Sequence, residues 1–170
     1  DLFHERSKID MLNYLHAFDA FVDFSNECPE ITVWLLVGNH DMYHKDKWDV
    51  NSIRPFDTIP NVRIVETPQR LDLQGVDVDF LPHTENPLKE LEHFKIFDAT
   101  KKHLLLAHLA VHGASLNTLY GTRADVIVEY DEQMVPVNPE SFDAWDQTFL
   151  GHYHGAQELN NKVEYVGSPL

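Results

Sequence analysis

The chain has 170 residues, one cysteine, 11 histidines and a formal net charge of −15, from 28 acidic against 13 basic side chains. That length fits a single domain with a sizeable core. The charge excludes a protein that coats nucleic acid by bulk electrostatics, the lone Cys28 excludes an internal disulfide and points to a reducing, cytoplasmic compartment, and no apolar run approaches a membrane span or makes a signal-peptide pattern.

Ser7, three residues before Asp10, resembles a capping box. Ile9, Leu12, Leu15, Phe18 and Val22 then recur at helical spacing, which predicts a helix over residues 8–27. The run Ile31 to Val37 is apolar or β-favouring and ends at Gly38, so it reads as a buried strand. Residues 42–60 are polar and interrupted by Pro55 and Pro60, and read as a loop with a short helix. Val62–Glu66 is a strand, and Arg70–Gln74 with Val76–Leu81 form a hairpin around Gly75. Asn86 and Pro87 read as an N-cap and first helical position, continued by Leu88, Leu91, Phe94 and Phe97. A strand over 102–107 follows, then an irregular stretch over 112–138. Asn138 and Pro139 cap a short helix through Trp145. Strand 147–150 leads to a last hairpin, Ala156–Leu159 with Lys162–Val166, turning at Asn160 and Asn161. Helices and strands alternate early and hairpins dominate late, so the class is α/β with a mixed sheet and helices on its outer faces.

Four strand ends or loop starts carry chemistry-bearing residues: Asp1-Leu2-Phe3-His4, Gly38-Asn39-His40-Asp41, His108, and Gly151-His152-Tyr153-His154. Open α/β folds place their ligands just beyond the carboxyl ends of strands. Carboxylate, amide oxygen and imidazole are ligands for divalent metals. Asp1 can bridge two ions, Asn39 can offer a neutral oxygen, His108 and His152 can complete one shell, and His154 can reach a second ion. Two divalent ions about 3.5–4 Å apart can activate water and clamp a phosphoryl group for in-line attack. His40, and with it His4, is then placed to stabilise phosphate oxygens or protonate a leaving group. Asp41 either orients the His40 ring or merely caps a turn.

These residues resemble the calcineurin-like metallophosphoesterase superfamily, whose pattern is D-x-H, G-D, G-N-H-D/E, a lone His, and G-H-x-H. Within it, Asp1 to His4 resembles the G-D-L-F-H signature of SbcD-type nucleases, the catalytic subunits of double-strand-break repair complexes, including compact phage-encoded members. Tyr165 to Pro169 resembles the Y-x-G-S/T-P segment of the same group. The resemblance implies a sandwich of two mixed β-sheets flanked by helices, spanning residues 1–170. It implies a metal site of Asp1, Asn39, His108 and His152, and a second holding Asp1 and His154, with Mn²⁺ favoured. It makes His4 and His40 substrate-facing rather than ligating. It implies DNA as substrate, an SMC-like ATPase of the SbcC type as partner, a homodimer left open, and a bacterial or phage-infected cell as setting. The D-x-H strand and the Gly before Asp1 are absent, as are downstream DNA-capping and ATPase-binding segments. The expectation is therefore a truncated catalytic domain with one complete and one depleted metal site.

The remaining histidines divide between site and scaffold. His83 and His112 each follow a strand end and are candidates for substrate contact, and His44, in the loop after the motif, for lining the site. His16 and His93 read as ordinary helix residues, and His103, after Lys101 and Lys102, as solvated. Three functions follow. The leading one is a DNA exo- and endonuclease subunit. The second is a phosphoesterase for small phosphodiesters or phosphoproteins using the same metal residues. The third is a non-catalytic scaffold on the same fold.

Overall fold

The structure is a computed structural model that describes residues 1–5, 7–95, 97–115 and 137–168. It divides into two units, Asp1–Thr67 and Pro68–Leu170, each with its own hydrophobic cluster. Most of the stretch expected to be irregular over 112–138, and Pro169 of the closing segment, lie outside the described residues.

In the first unit, helix α1 spans Met11–Glu27. It starts three residues later than expected, because Asp10 is the cap rather than Ser7: its carboxylate accepts from the backbone N–H of Leu12 (3.0 Å) and Asn13 (3.1 Å). The helix stops at Cys28, and Pro29 cannot continue it. Its inward face is Tyr14, Ala17, Phe18, Phe21 and Val22, joined by Ile9. Leu12 and Leu15, expected on that face, are 60% and 47% exposed. The reason is aromatic packing around Phe56, which is fully buried and meets the rings of Tyr14, Phe18 and Phe21 at 5.6, 5.2 and 5.4 Å. Phe56 sits in a 3₁₀ turn over Arg54–Thr58.

Strand β1 (Val33–Leu36) pairs in parallel with a strand at Val62–Val65. Between them, the segment read as loop contains an antiparallel hairpin, β2 (Met42–His44) and β3 (Lys47–Asn51), so Val62–Val65 is β4. Lys45 and Asp46 make its two-residue connection.

The second unit is a six-stranded mixed sheet. Its strands are β5 (Gln69–Leu73), β6 (Val76–Leu81), β7 (Lys102–His108), β8 (Gln147–Gly151), β9 (Gln157–Glu158) and β10 (Val163–Tyr165), in the order β5-β6-β7-β8-β10-β9. The β5–β6 and β9–β10 pairs are antiparallel and the others parallel. The first hairpin turns at Gln74 (φ 58°) and Gly75 (φ 86°), the two left-handed positions that a type I′ turn needs. At the last turn the Asn160 side chain accepts from the N–H of Lys162 and Val163. The helix expected from Asn86 to Phe97 is shorter: α2 covers Pro87–Leu91 and tightens to a 3₁₀ turn over Glu92–Phe94. Pro139–Phe142 is likewise 3₁₀. Neither Asn86 nor Asn138 caps with its side chain.

Polar groups lock this sheet at named points. Asp79, fully buried on β6, accepts two bonds from Arg70 (2.7 and 2.8 Å) and one from the Trp145 indole (2.7 Å). The Asp79 bond holds the Arg70 guanidinium above its ordinary pKa. His103 is buried rather than solvated: its Nε2 meets the Asp98 carbonyl at 2.7 Å and its ring lies against Phe97.

Candidate functional site

The first unit presents Asp1 and His4 on the segment before α1 and Asn39 and His40 on the loop after β1, and Asp41 fastens the two together. Asp41 is 1% exposed, and its two carboxylate oxygens accept from the backbone N–H of Leu2 (2.9 Å) and Gly38 (2.9 Å). Its role is thus to cap the backbone after β1 and to tie the segment around Leu2 to that loop. It does not hold the His40 ring. The His40 ring Nδ1 instead meets the His4 backbone carbonyl. A carbonyl can only accept, so Nδ1 carries a proton and Nε2 is the nitrogen left for other work. The His4 and His40 rings stack at 5.5 Å with planes 12° apart. The Asp1 carboxylate accepts from the His40 backbone N–H at 2.7 Å. Asn39, between the capped Gly38 and His40, is half-buried.

A cavity of about 370 Å³ adjoins His4. Lys8 and Asn13 line it with His4, and Phe3 and Ile9 give it an apolar wall. The sequence reading missed Lys8 here, because a single lysine before a helix carries no pattern.

The second unit gathers three imidazoles. His108 ends β7 and is buried, and His152 follows β8. Their ring centroids are 5.3 Å apart at 83°. His83, two residues beyond β6, lies 6.1 Å from the His108 ring and 6.4 Å from the His152 ring. Parallel pairing brings this about, since β7 lies between β6 and β8 and His108 is in register with Gly151. Two backbone features make the close packing specific. A Cβ at Gly151 would stand 3.1 Å from His108 Nδ1. His152 has φ 108°, a left-handed backbone that a non-glycine residue rarely adopts.

The remaining candidates are placed nearby in the chain. His154 is exposed, and its carbonyl accepts from the Ser168 N–H at 3.0 Å. His112 is exposed, and its N–H donates to the Val137 carbonyl at 2.8 Å. The closing segment supports both strand ends. The Tyr165 hydroxyl is buried, donates to the Leu109 carbonyl at 2.8 Å and accepts from the Val111 N–H at 2.9 Å, fixing the chain just after His108. Gly167 has φ 75°, and a Cβ there would come within 2.9 Å of the Ala156 nitrogen. Sequence reasoning pointed to this segment by resemblance alone, and its physical content is support.

Among the described residues no group of three or more His, Cys, Asp or Glu side chains is arranged to hold a metal ion. Nor is any helix among them long and apolar enough to cross a membrane. The donor types themselves, carboxylate, amide oxygen and imidazole, are those that divalent transition ions take. No protein-family model matches the chain. Over 142 residues, or 82% of its length, the chain is 28% identical to "Exonuclease subunit 1" of Enterobacteria phage T4. The chain spans 37% of that relative's length.

Proposed function

We propose that this chain is the catalytic portion of a metal-dependent phosphodiesterase that cleaves DNA, in an exonuclease assembled with an SMC-like ATPase. The observation that carries the reading is the paired backbone specialisation at Gly151 and His152. The chain accepts a strained φ of 108° at His152 beside a glycine whose Cβ would stand 3.1 Å from the His108 ring, and the two imidazoles lie 5.3 Å apart at adjacent strand ends. Strain of this kind belongs to sites that use it. The 28% identity to a phage exonuclease subunit supports the substrate class.

The residues proposed as metal donors are Asp1 and Asn39 in the first unit, as oxygen donors, and His108, His152 and His154 in the second, as imidazoles. Divalent ions, Mn²⁺ in this reading, would supply Lewis acidity toward the phosphate and lower the pKa of water. The chain's own residues do the rest. His40 is held by the His4 carbonyl at Nδ1, so its Nε2 can meet a phosphate oxygen or hand a proton to the leaving oxygen. His4, stacked on it, can add a second donor to the same phosphate. His83 and His112 are proposed to touch the substrate.

Hydrolysis by the full chain, assayed with Mn²⁺ and again after EDTA, tests the reading on two substrates: end-labelled DNA and bis(p-nitrophenyl) phosphate. Metal-dependent cleavage of both, lost in Asn39→Ala and His152→Ala, is expected. Cleavage of the small diester alone would favour a small-molecule phosphoesterase, and no metal-dependent cleavage of either would favour the scaffold.

A further inference from the structure

We propose that the β2–β3 hairpin is a contact surface for single-stranded DNA, with Tyr43 as a stacking platform for a base and Lys45 and Lys47 as phosphate contacts. This rests on the reading of the chain as a DNA phosphodiesterase and says where the strand is gripped. Tyr43, 57% exposed, is the one aromatic ring among the exposed large hydrophobics of the described residues, and it is held edge-to-face against His44 at 4.9 Å and 88°. Bases stack on such rings without regard to sequence. Lys45 and Lys47 are exposed, and neither pairs with a carboxylate among the described residues.

The local charge differs from that of the whole. Residues 43–54 hold three basic side chains, Lys45, Lys47 and Arg54, the last paired with Glu66 at 3.5 Å, against two acidic ones, Asp46 and Asp49, in a chain of net −15. The platform is also anchored. Met42 is buried, Trp48 packs on the first unit's core, and the Ser52 N–H donates to the Asp41 carbonyl at 2.8 Å. The hairpin is therefore fastened to the loop that carries Asn39 and His40. Within a duplex the base faces are already stacked on one another, so an exposed ring finds its partner most readily on an unpaired strand, and the acidic remainder of the chain disfavours a duplex held by phosphate contacts alone. The occupant is therefore an unpaired strand.

The test is fluorescence anisotropy of a fluorescein-labelled oligo(dT) with the full chain in EDTA, so that binding is read without metal or turnover. Tyr43→Ala should weaken binding by about 5–150-fold, the range of one lost base–aromatic stack. Tyr43→Phe should rescue it. The double change Lys45→Ala with Lys47→Ala should flatten the slope of log affinity against log salt by about 1.4, or about 0.7 for each phosphate contact. Lys95→Ala, exposed in the other unit, should change nothing. Thermal melts of each variant confirm the fold. No measurable oligo(dT) binding by the native chain, Tyr43→Ala binding like the native chain, or a duplex competing as well as the single strand would each overturn the proposal. Failure here is separable from failure of the enzyme reading. Metal-dependent turnover of bis(p-nitrophenyl) phosphate with a Tyr43-insensitive affinity overturns the hairpin alone. Tyr43-dependent binding without turnover overturns the enzyme alone.

Discussion

His40 is the residue whose surroundings most constrain its chemistry. Its Nδ1 is committed to the His4 carbonyl and its backbone N–H to Asp1, so the ring is oriented by main chain rather than by a neighbouring carboxylate. His40→Ala should therefore lower turnover by about 10²–10⁴-fold, the usual contribution of a positioned acid or base, with Mn²⁺ affinity nearly unchanged by calorimetry. Lost metal affinity with intact turnover would instead make His40 a ligand. Two glycines separate site geometry from stability. Gly167→Ala forces both a left-handed φ and a 2.9 Å approach to backbone, so it should destabilise by more than about 1 kcal/mol in urea titrations. Gly151→Ala meets only the His108 ring, at 3.1 Å, so the ring must yield by a few tenths of an ångström. It should cost less stability but lower turnover more, because catalytic geometry tolerates small displacements poorly. At this scale the sequence was readable where strand ends deliver residues side by side, as at His108 and His152, whose rings lie 5.3 Å apart. It was not readable where the message is a contact. Asp41 beside His40 in the chain suggests a pair, yet its carboxylate faces the backbone of Gly38 and Leu2.

Helix α1 shows what periodicity can and cannot tell. Met11, Leu12, Tyr14, Leu15, Ala17, Phe18, Phe21 and Val22 contain two overlapping stripes at helical spacing, and only the partner chooses between them. That partner is Phe56, from a 3₁₀ turn some thirty residues further on. Phe56→Ala should therefore cost about 3–5 kcal/mol, as large aromatic deletions in a core do. Leu12→Gln and Leu15→Gln should each fall within about 0.5 kcal/mol, the range for exposed positions. Equal losses at Leu12 and Phe56 in chemical denaturation would show that the outer stripe is buried after all. The β2–β3 hairpin escaped sequence reading for a related reason. Its Lys45-Asp46 connection lacks the glycine that marks such turns, and its strands are too short and polar to show alternation. The β5–β6 hairpin, with Gly75 at a left-handed position, was plain.

Across the whole chain the dominant quantity is the net charge of −15, and two effects of pH and cations follow from it. Acidification from neutrality first relieves self-repulsion, since the sequence pI is about 4.9. Below the ordinary aspartate value of 3.8 the sign reverses. Lys101 bonded to Asp72, the Thr100 hydroxyl bonded to Asp98, and the His103 N–H bonded to Asp146 each hold the aspartate below that value when folded. The folded state then binds fewer protons than the unfolded one. The stability these groups lend is present above about 3.8 and is lost as pH falls through their lower folded values. Melting midpoints should hold or rise toward pH 5 and fall below pH 4, with a shallower fall in Asp146→Asn. Divalent cations add a separate effect, because any cation screens a surface this acidic, whereas a bound ion stabilises by mass action. Mn²⁺ at about 100 times its dissociation constant should stabilise by about 2.7 kcal/mol, or roughly 5–10 °C for a chain of this size. Screening by Na⁺ at matched ionic strength should give less. The decisive comparison uses Asn39→Ala and His108→Ala, which remove one proposed donor and change the net charge by nothing with His neutral. Screening would leave their Mn²⁺ shift equal to that of the native chain, so an undiminished shift in both would remove the metal site from these residues. A shift that collapses in both, while the shift from Na⁺ persists, would place the ion on the donors that the strand ends present.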